Sequence, residues 1–255
     1  MHMDLYRYIK EHCTPQGEAL DWVERQTNIR TNHSRMLSGA VLGRFLTMMV
    51  RMVRPARILE LGTFTGYSAI CLASGLPEGG HLDTLEVNDE LEDLILEGFE
   101  RAGLSDRITL HIGDCKETLK RFHAVLLQGK NTMALRPGRD IMDGGRDPGI
   151  DGHSDGAAAE TEVSQDTDGL YDMVYIDANK REYPEYYDLV FPLVRHGGYI
   201  LADNVLWDGK VYEDSVPGDR QTQGIARFND MVAADPRVES VIIPLRDGLN
   251  IIRKL

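Results

Sequence analysis

Short apolar segments alternate with helical patterns along most of this chain. Five of them precede residue 205: Arg57–Leu61, Leu82–Glu86, Ile108–Ile112, Asp172–Ile176 and Tyr199–Ala202. Because helical spacing follows each segment, the pattern predicts a parallel sheet with helices on both faces. Two further segments, Val238–Ile243 and Leu249–Arg253, are joined by a turn with Asp247 and Gly248. That turn predicts an antiparallel hairpin, so we expect an α/β protein whose sheet ends antiparallel.

Residues 1–54 are predicted to form helices that cover this sheet. Residues 4–31 show two amphipathic helical patterns, separated near Thr14 and Pro15. A third helix ends before Pro55 and carries an apolar stripe at helical spacing, formed by Leu42, Phe45, Leu46, Met49, Met52 and Val53. We interpret the stripe as core packing.

Residues 123–169 depart from the alternating pattern. They contain no aromatic residue, nine acidic and four basic side chains, and many glycines. Such a composition is typical of a surface insertion or a disordered loop. The segment precedes the strand that ends at Ile176, whereas ligands in open α/β sheets bind at the carboxyl ends of strands. We therefore expect it to lie away from the chemistry, unless it folds around the edge of the sheet or meets a second subunit. We interpret His153 as part of a solvated loop and not as a metal ligand.

Composition narrows the classes of partner. The 255 residues, 42% of them hydrophobic, suffice for a single large domain spanning 1–255. A formal charge of −13 disfavours non-specific binding to nucleic acid or to an anionic membrane. Cys13, Cys71 and Cys115 are scattered, which predicts neither a disulfide framework nor a zinc site. The apolar stretch 40–53 contains two arginines and no signal peptide is recognisable, so we expect a soluble, cytoplasmic protein.

The stretch Arg57–Ser68 has the pattern of a nucleotide-site opening. A short strand ends near Glu60, Gly62 and Gly66 permit a tight turn, and Tyr67–Ala73 follows with helical spacing. A helix start presents unpaired N–H groups, and glycines let a ligand approach the main chain closely. The alternative is a plain tight turn in an α/β protein.

Three features indicate which cofactor this turn holds. Glu86 ends the second strand twenty residues beyond Gly66, where a carboxylate can accept hydrogen bonds from both ribose hydroxyls. Asp114 and Cys115 follow the third strand and can reach an adenine edge, although Asp114 is equally suited to cap the next helix. The chain lacks the third glycine of a dinucleotide fingerprint and any Gly-Lys-Ser/Thr motif. A nucleoside without phosphates is therefore favoured, and S-adenosylmethionine is the common one.

Polar residues at the ends of the fourth and fifth strands predict a metal site. Asp177 follows one strand, Asp203 and Asn204 follow the other, and adjacent strand ends bring their oxygens together. Hard oxygen ligands suit Mg²⁺ or Mn²⁺ and not zinc. The alternative is that each Asp caps the segment after its strand. Lys180 lies at the start of a helix, where a cation is unfavourable because of the helix dipole. A role as general base would explain this position. The alternative is an ordinary surface lysine.

Four motifs together resemble the cation-dependent O-methyltransferases, the family of caffeoyl-CoA and catechol O-methyltransferases and their bacterial relatives. The motifs are Glu60–Ser68 (ELGTFTGYS), Tyr175–Lys180 (YIDANK), Gly197–Val211 (GGYILADNVLWDGKV) and Pro244–Asn250 (PLRDGLN). The resemblance covers nearly the whole chain outside the insertion. It implies a Rossmann-like class I methyltransferase domain with a mostly parallel, seven-stranded sheet, and homodimers are usual in the family.

The resemblance also implies roles for individual residues. Asp177, Asp203 and Asn204 match the ligands of a divalent metal, Mg²⁺ or else Mn²⁺ or Ca²⁺, and Lys180 matches the base. Positions that line S-adenosylmethionine are matched by Met36, Ser38, Glu60, Gly62, Thr63, Ser68, Glu86, Cys115 and Asp177. The acceptor implied is a small catechol-like molecule with vicinal hydroxyls, and the reaction is metal-assisted attack of a hydroxylate on the sulfonium methyl.

Departures from the family pattern leave the acceptor open. Asn179 stands where plant phenylpropanoid enzymes typically have Asp, Cys115 replaces a usual Ala, and the region before Asp177 is longer than usual. Some bacterial relatives methylate a hydroxylated uridine in tRNA. The acidity of the chain argues against that acceptor, whereas a basic surface from Arg25, Arg30 and Arg35 would favour it.

Other readings of the site remain as alternatives. Trp207 and Tyr183 either wall the acceptor pocket or are ordinary packing. A nicotinamide-dependent oxidoreductase would use the same acid at the second strand but needs the missing glycine. A non-catalytic cofactor-binding protein is the third possibility, although it leaves the metal set and the lysine without a purpose.

Overall fold

The computed structural model describes residues 3–127, 170–213 and 218–255. Its strands are β1 Arg57–Leu61, β2 His81–Glu86, β3 Ile108–Ile112, β4 Tyr171–Ile176, β5 Val194–Asp203, β6 Val238–Ile243 and β7 Leu249–Lys254. Its helices are α1 Met3–Glu11, α2 Glu18–Arg30, α3 Gly39–Val53, α4 Tyr67–Ala73, α5 Glu92–Arg101, α6 Cys115–Leu127, α7 Tyr183–Val190 and α8 Arg220–Ala234. Short 3₁₀ turns occur at Ser34–Met36, Asp89–Leu91, Lys180–Glu182, Phe191–Leu193 and Trp207–Gly209.

The described strands form one seven-stranded sheet in the order β3-β2-β1-β4-β5-β7-β6. Neighbours among β1 to β5 pair in parallel, whereas β7 pairs antiparallel with both β5 and β6. The predicted parallel sheet and its terminal antiparallel hairpin are confirmed. The strand order reverses between β1 and β4, so the crevice at their carboxyl ends is where an α/β sheet of this kind binds ligands.

Alternating side chains of the central strands divide the core into two layers. Leu59 and Leu61 of β1 pack on the side of α6, α7 and α8. Ile58 packs on the opposite side with α3, α4 and α5. Both faces of β1 and β4, at the centre of the sheet, are therefore buried, which explains why these two strands are mostly apolar and not alternating.

Strand β5 begins five residues earlier than the predicted Tyr199. Gly197 and Gly198 concealed this start, because glycine pairs usually interrupt strands. Gly197 has a φ of 73°, and a Cβ at Gly198 would lie 2.7 Å from Val194 Cγ1 and 2.9 Å from the carbonyl oxygen of Asp172. The two glycines thus allow an irregular pairing with β4, which the propensity argument does not anticipate.

Helix α3 packs against α4 within the core. The segment Ser34–Val53 is long and apolar enough to cross a membrane by length and composition alone. Leu42, Leu46 and Val50 are fully buried, as in the core helix of a soluble domain. The assignment of Met52 to the core was wrong: its side chain is 66% exposed, because the helix turns this position away from α4.

The predicted insertion at 123–169 has a different beginning in the structure. Residues 123–127 continue helix α6, whose apolar spacing the glycine-rich sequence after it obscured. The remainder of the prediction, including His153, lies outside the described residues.

Candidate functional site

The turn after β1 leads from the carboxyl edge of the sheet into α4. Three of its residues have positive φ angles: Gly62 at 93°, Phe64 at 50° and Gly66 at 86°. The amides of Gly62 and Thr63 donate to the carbonyl of Leu85 at 3.0 and 3.1 Å. These two N–H groups are therefore bonded to β2 and are not available to a ligand.

Gly62 is required mainly for the packing of two strand ends. A Cβ at this position would lie 2.3 Å from the carbonyl oxygen of Asp177. Because that oxygen belongs to the backbone, a side chain at position 62 would push the end of β4 away from β1. The glycine thus holds the turn after β1 directly against Asp177, the first of the predicted metal ligands.

Glu86 is buried at the end of β2, and both of its carboxylate oxygens accept backbone hydrogen bonds. Oε2 accepts from the amide of Phe64 at 2.7 Å, and Oε1 accepts from the amide of Asn88 at 2.9 Å. The carboxylate is therefore fixed against the turn after β1. Each oxygen keeps a second lone pair that can accept from a ligand hydroxyl.

The start of α6 completes this side of the site. Asp114 Oδ1 accepts from the amides of Lys116 and Glu117 at 2.9 and 3.1 Å, so its proposed capping role is confirmed. Cys115 is 7% exposed, and burial raises the pKa of its thiol to about 12, with the carboxylate of Glu86 adding to the effect. This thiol is neutral at physiological pH and is a packing group near the cofactor turn.

Glu60 is a fully buried carboxyl group on β1. Its Oε2 accepts from the hydroxyl of Thr84 at 2.5 Å, and Thr84 also contacts Thr63 at 2.5 Å. Among the described residues, Oε1 of Glu60 has no hydrogen-bond partner. Burial raises the pKa of Glu60 to about 7, against the lowering effects of Ser68 and Thr84.

This raised pKa predicts a pH-dependent stability of the cofactor-free protein. The native state binds the Glu60 proton up to about pH 7 and the unfolded state only to about 4.5, so stability falls as pH rises between these values. Over this pH range the free energy of unfolding falls by about 3 kcal/mol. The free energy of unfolding, measured with urea, should differ less between pH 5 and pH 8 in Glu60→Gln than in the wild type. The exposed Glu78→Gln should leave this difference unchanged. An unchanged pH dependence of the free energy of unfolding in Glu60→Gln would contradict a buried, protonated carboxyl group.

The ends of β4 and β5 bring Asp177 and Asp203 together. Asp203 is 1% exposed and its Oδ1 has no partner among the described residues, while Oδ2 accepts from the hydroxyl of Tyr175 at 3.3 Å. Burial and the nearby charge of Asp177 raise the pKa of Asp203. A buried carboxylate oxygen without a donor, beside a second carboxylate, is a site that a cation would stabilise.

These residues fit the predicted divalent metal in donor chemistry. Asn204 follows Asp203 with a φ of 60°, so the backbone bends sharply at the strand end. The set consists of two carboxylates and one amide, all hard oxygen donors suited to Mg²⁺. No group of three or more His, Cys, Asp or Glu residues suitable for a metal occurs in the described parts of the chain. The candidate set therefore depends on the amide as its third protein ligand.

Lys180 is held by two polar groups in a nearly buried position. Its Nζ donates to Asp177 Oδ1 at 2.6 Å and to the hydroxyl of Tyr183 at 2.9 Å. The hydroxyl of Tyr183 in turn donates to the carbonyl of Asp203 at 2.8 Å. Lys180 is 8% exposed, so the alternative of an ordinary surface lysine is wrong.

Tyr183 is a site residue whose role the sequence pattern did not reveal. A wall of the acceptor pocket needs an accessible face, but Tyr183 is 0% exposed and its ring packs edge-on against Phe228 at 5.4 Å between centroids. Its hydroxyl joins the lysine to the ends of β4 and β5. Only its spacing of three residues from Lys180 could have indicated this, and that spacing is common in helices.

The turn that carries Lys180 is fixed from two sides. Asn179 accepts a hydrogen bond from the amide of Arg181 at 3.3 Å, so this departure from the family pattern acts as a cap. Helix α8 packs closely behind the turn, because a Cβ at Gly224 would lie 2.5 Å from the carbonyl oxygen of Lys180. The lysine therefore has little freedom to shift along the sheet edge.

The segment before α3 reaches the same edge through Ser38. Ser38 is 4% exposed, and its carbonyl accepts a hydrogen bond from Arg246 in the turn between β6 and β7. Ser68, in the first turn of α4, is 5% exposed. Met36 is 58% exposed, so its side chain is not enclosed with the other predicted cofactor-lining residues. Arg246 is a further residue at this site that sequence analysis missed.

Known proteins resemble the chain over almost its full length. A family model described as O-methyltransferase matches residues 10–131 and 147–255. Caffeoyl-CoA O-methyltransferase 1 of Arabidopsis thaliana is 29% identical over 261 residues, which cover 99% of this chain and 85% of the relative. Caffeoyl-CoA O-methyltransferase of Eucalyptus gunnii is 27% identical, with 98% and 87% covered.

Solved structures give the same result for the fold. The O-methyltransferase from Bacillus cereus in complex with SAH has a TM-score of 0.75 and 26% identity, covering 98% of this chain and 96% of that one. The O-methyltransferase TomG from Streptomyces achromogenes, involved in tomaymycin synthesis and in complex with SAM, has a TM-score of 0.76 and 25% identity, covering 100% and 99%. The predicted class I methyltransferase fold is thereby confirmed.

Proposed function

The chain belongs to the O-methyltransferase family, and from that premise we propose that it methylates one of two vicinal hydroxyls on a small catechol-like acceptor, with a divalent metal bound at the strand ends. Transfer of a methyl group from S-adenosylmethionine to an oxygen is the shared activity of this family. The acceptor and the metal are the new elements of the proposal.

The proposed metal site rests on one observation, which concerns Oδ1 of Asp203. This oxygen is buried without a hydrogen-bond donor among the described residues, and Asp177 adds a second negative charge nearby. Asp177, Asp203 and Asn204 would hold the ion. A bound divalent metal would lower the pKa of a coordinated hydroxyl and orient the acceptor's two oxygens.

Lys180 is the group that we assign to proton transfer. In its neutral form Nζ takes the proton from the acceptor hydroxyl, and the resulting oxygen attacks the methyl carbon of the cofactor. The carbon–sulfur bond breaks with its electron pair going to sulfur, which leaves S-adenosylhomocysteine. Asp177 and Tyr183 hold Nζ at 2.6 and 2.9 Å, so the base is positioned before the acceptor arrives.

Trp207 is the residue that we place against the acceptor. It lies three residues after Asn204 in the turn Trp207–Gly209 and has a φ of 46°. Its indole Nε1 is buried and has no hydrogen-bond partner among the described residues. An indole N–H usually finds a partner when it is buried, so an acceptor oxygen would satisfy it.

Labelled S-adenosylmethionine with caffeate or dihydroxybenzoate tests the proposal directly. Transfer should require added Mg²⁺ or Mn²⁺ and stop in EDTA. The two matched monohydroxy analogues, each lacking one hydroxyl, should be poor acceptors, because they offer the metal only one oxygen. Full activity in EDTA would contradict the metal, and equal rates with the monohydroxy analogues would contradict the vicinal diol.

Glu86→Ala should weaken cofactor binding. A charge-assisted hydrogen bond is worth about 1.5–3 kcal/mol, so the loss of ribose contacts predicts an affinity lower by about 10–100-fold. The carboxylate also fixes Phe64 at 2.7 Å, which adds to the effect. Calorimetric titration with S-adenosylhomocysteine measures it, and the exposed Glu90→Ala serves as control. Unchanged affinity in Glu86→Ala, or tight binding of NADH by the wild type, would contradict the assignment.

The remaining partner predictions rest on the family resemblance. The tRNA alternative needs a basic surface, and Arg30 is engaged with Glu97 at 3.5 Å and with the ring of Trp22 at 5.9 Å. This engagement lowers the positive charge available to a phosphate backbone, so we favour the small acceptor. The homodimer and the cytoplasmic location stay predictions, and size-exclusion chromatography with light scattering would test the dimer.

A further inference from the structure

A cavity lies behind α4, on a different side of that helix from the candidate cofactor residue Ser68. Its walls come from the loop between α1 and α2, from Leu20 of α2, from α3, from Tyr67 and Cys71 of α4, and from Ser74, which follows that helix. Its volume is about 50 Å³. A water molecule occupies about 10–15 Å³ of a cavity volume measured in this way. The cavity therefore has room for about three to five water molecules or for one small polyatomic ion.

Two guanidinium groups give this cavity its charge. Arg44 and Arg51 lie seven residues apart on α3 and both line it, with no carboxylate among the lining residues. In the described parts of the chain, neither arginine forms an ion pair. Arg44 donates from Nη2 to the carbonyl of Pro15 at 2.6 Å, while its Nε is buried with no hydrogen-bond partner in those parts. A buried cationic donor without a partner is costly, and an anion in the cavity would satisfy it.

Gln16, which lines the cavity, contacts two carboxylates that do not line it. Its Nε2 donates to Asp21 at 2.6 Å and to Glu24 at 2.8 Å, and its Oε1 accepts from the hydroxyl of Tyr67. The amide therefore stands between these two acids and the arginines. Neither acid lines the cavity, and neither forms an ion pair with Arg44 or Arg51 in the described parts of the chain.

We propose that this cavity binds a phosphate-sized oxyanion between Arg44 and Arg51. Guanidinium groups match tetrahedral and planar oxyanions through paired N–H donors, and two of them suit a doubly charged ion. The hydroxyls of Thr47 and Ser74 are already committed as donors to backbone carbonyls, Thr47 to Cys71 at 2.8 Å and Ser74 to Ile70 at 2.7 Å. Binding therefore depends on the arginines.

Thermal unfolding in the presence of inorganic phosphate tests this site. The protein is first saturated with S-adenosylhomocysteine, so that phosphate acting at the cofactor site is excluded, and chloride of equal ionic strength is the reference. Phosphate should give a saturable rise in melting temperature of about 2–4 °C. Absence of a rise over chloride overturns the site, and a rise with acetate but not with phosphate overturns the assignment to a phosphate-sized ion.

Matched variants locate the effect. Arg51→Gln should lower phosphate affinity on the order of tenfold, since it removes one charge-assisted contact from an exposed side chain. Arg44→Gln should abolish binding, but it also removes the contact with Pro15, so Arg51→Gln is the decisive variant. Arg25→Gln makes the same change of charge on an exposed position of α2 outside the cavity and should leave affinity unchanged. Equal phosphate affinity in Arg51→Gln and Arg25→Gln overturns the proposal.

Discussion

Asp203→Asn should reduce Mg²⁺-supported methyl transfer on the order of 10²–10³-fold, a loss typical of removing one electrostatic contact to a reacting group. The substitution keeps the shape of the side chain and an acceptor for the hydroxyl of Tyr175, which lies 3.3 Å from Oδ2. It removes only the charge that a metal needs. Initial rates measured across a range of Mg²⁺ concentrations should show a higher metal requirement as well as a lower maximum.

The same variant should not weaken the metal-free fold. Asp203 is 1% exposed, and burial together with Asp177 raises its pKa. A neutral amide therefore relieves a desolvation cost at pH 8, and urea unfolding without metal should give a stability equal to or above that of the wild type. The exposed Asp106→Asn is the matched control. Wild-type metal dependence in Asp203→Asn would contradict the site, whereas inactivity caused by misfolding would appear in the unfolding curve.

Replacing Lys180 should give the second large effect. Lys180→Met should lower kcat on the order of 10²–10⁴-fold, the usual contribution of general acid–base catalysis, while affinity for S-adenosylhomocysteine changes little. Lys180→Arg is the sharper variant, because it keeps a positive charge beside Asp177 but a guanidinium does not give up its proton near neutral pH. If the lysine only paired with Asp177, at 2.6 Å, the arginine would restore turnover.

Measurements of kcat and of cofactor affinity distinguish a general base from a lysine that only pairs with Asp177. We expect turnover to be slow in both Lys180 variants, with Lys180→Arg no more than a few-fold faster than Lys180→Met. Lys210→Met removes a lysine from the exposed segment after Trp207 and serves as control. Wild-type kcat in Lys180→Arg would assign the residue to electrostatics alone, and a proportional loss of cofactor affinity would move it from catalysis to binding.

The arrangement of Tyr183 explains why this small group of residues acts together. Its hydroxyl accepts a hydrogen bond from Lys180 Nζ at 2.9 Å and donates to the carbonyl of Asp203, at the end of β5, at 2.8 Å. A buried hydroxyl with these two fixed partners holds the proposed base and the predicted metal ligand at a constant separation. The close packing of Gly224 against the Lys180 carbonyl has the same effect from the side of α8.

Sequence alone predicted most of the elements of the fold and the chemistry of the candidate site. Alternating apolar segments and helical patterns predicted the parallel sheet and its hairpin, because hydrophobic periodicity follows directly from which faces are buried. Strand ends could be identified in the same way, so Glu86, Asp177 and Asp203 were assigned to the ligand-binding edge before any contact was known. Hard oxygen donors then favoured Mg²⁺ or Mn²⁺ over zinc, and the missing third glycine disfavoured a dinucleotide cofactor.

Tertiary structure decided everything that depends on distance between segments far apart in the chain. The use of Gly62 for strand packing, the exposure of Met52 and the tethering of Ser38 by Arg246 leave no periodic signal. Within the described residues, Oδ1 of Asp203 and Nε of Arg44 lack hydrogen-bond partners. The sequence does not show this either, because a missing partner is a property of the surroundings. Local pattern thus specifies which groups reach an edge, whereas only packing specifies which of them remain unsatisfied and able to bind.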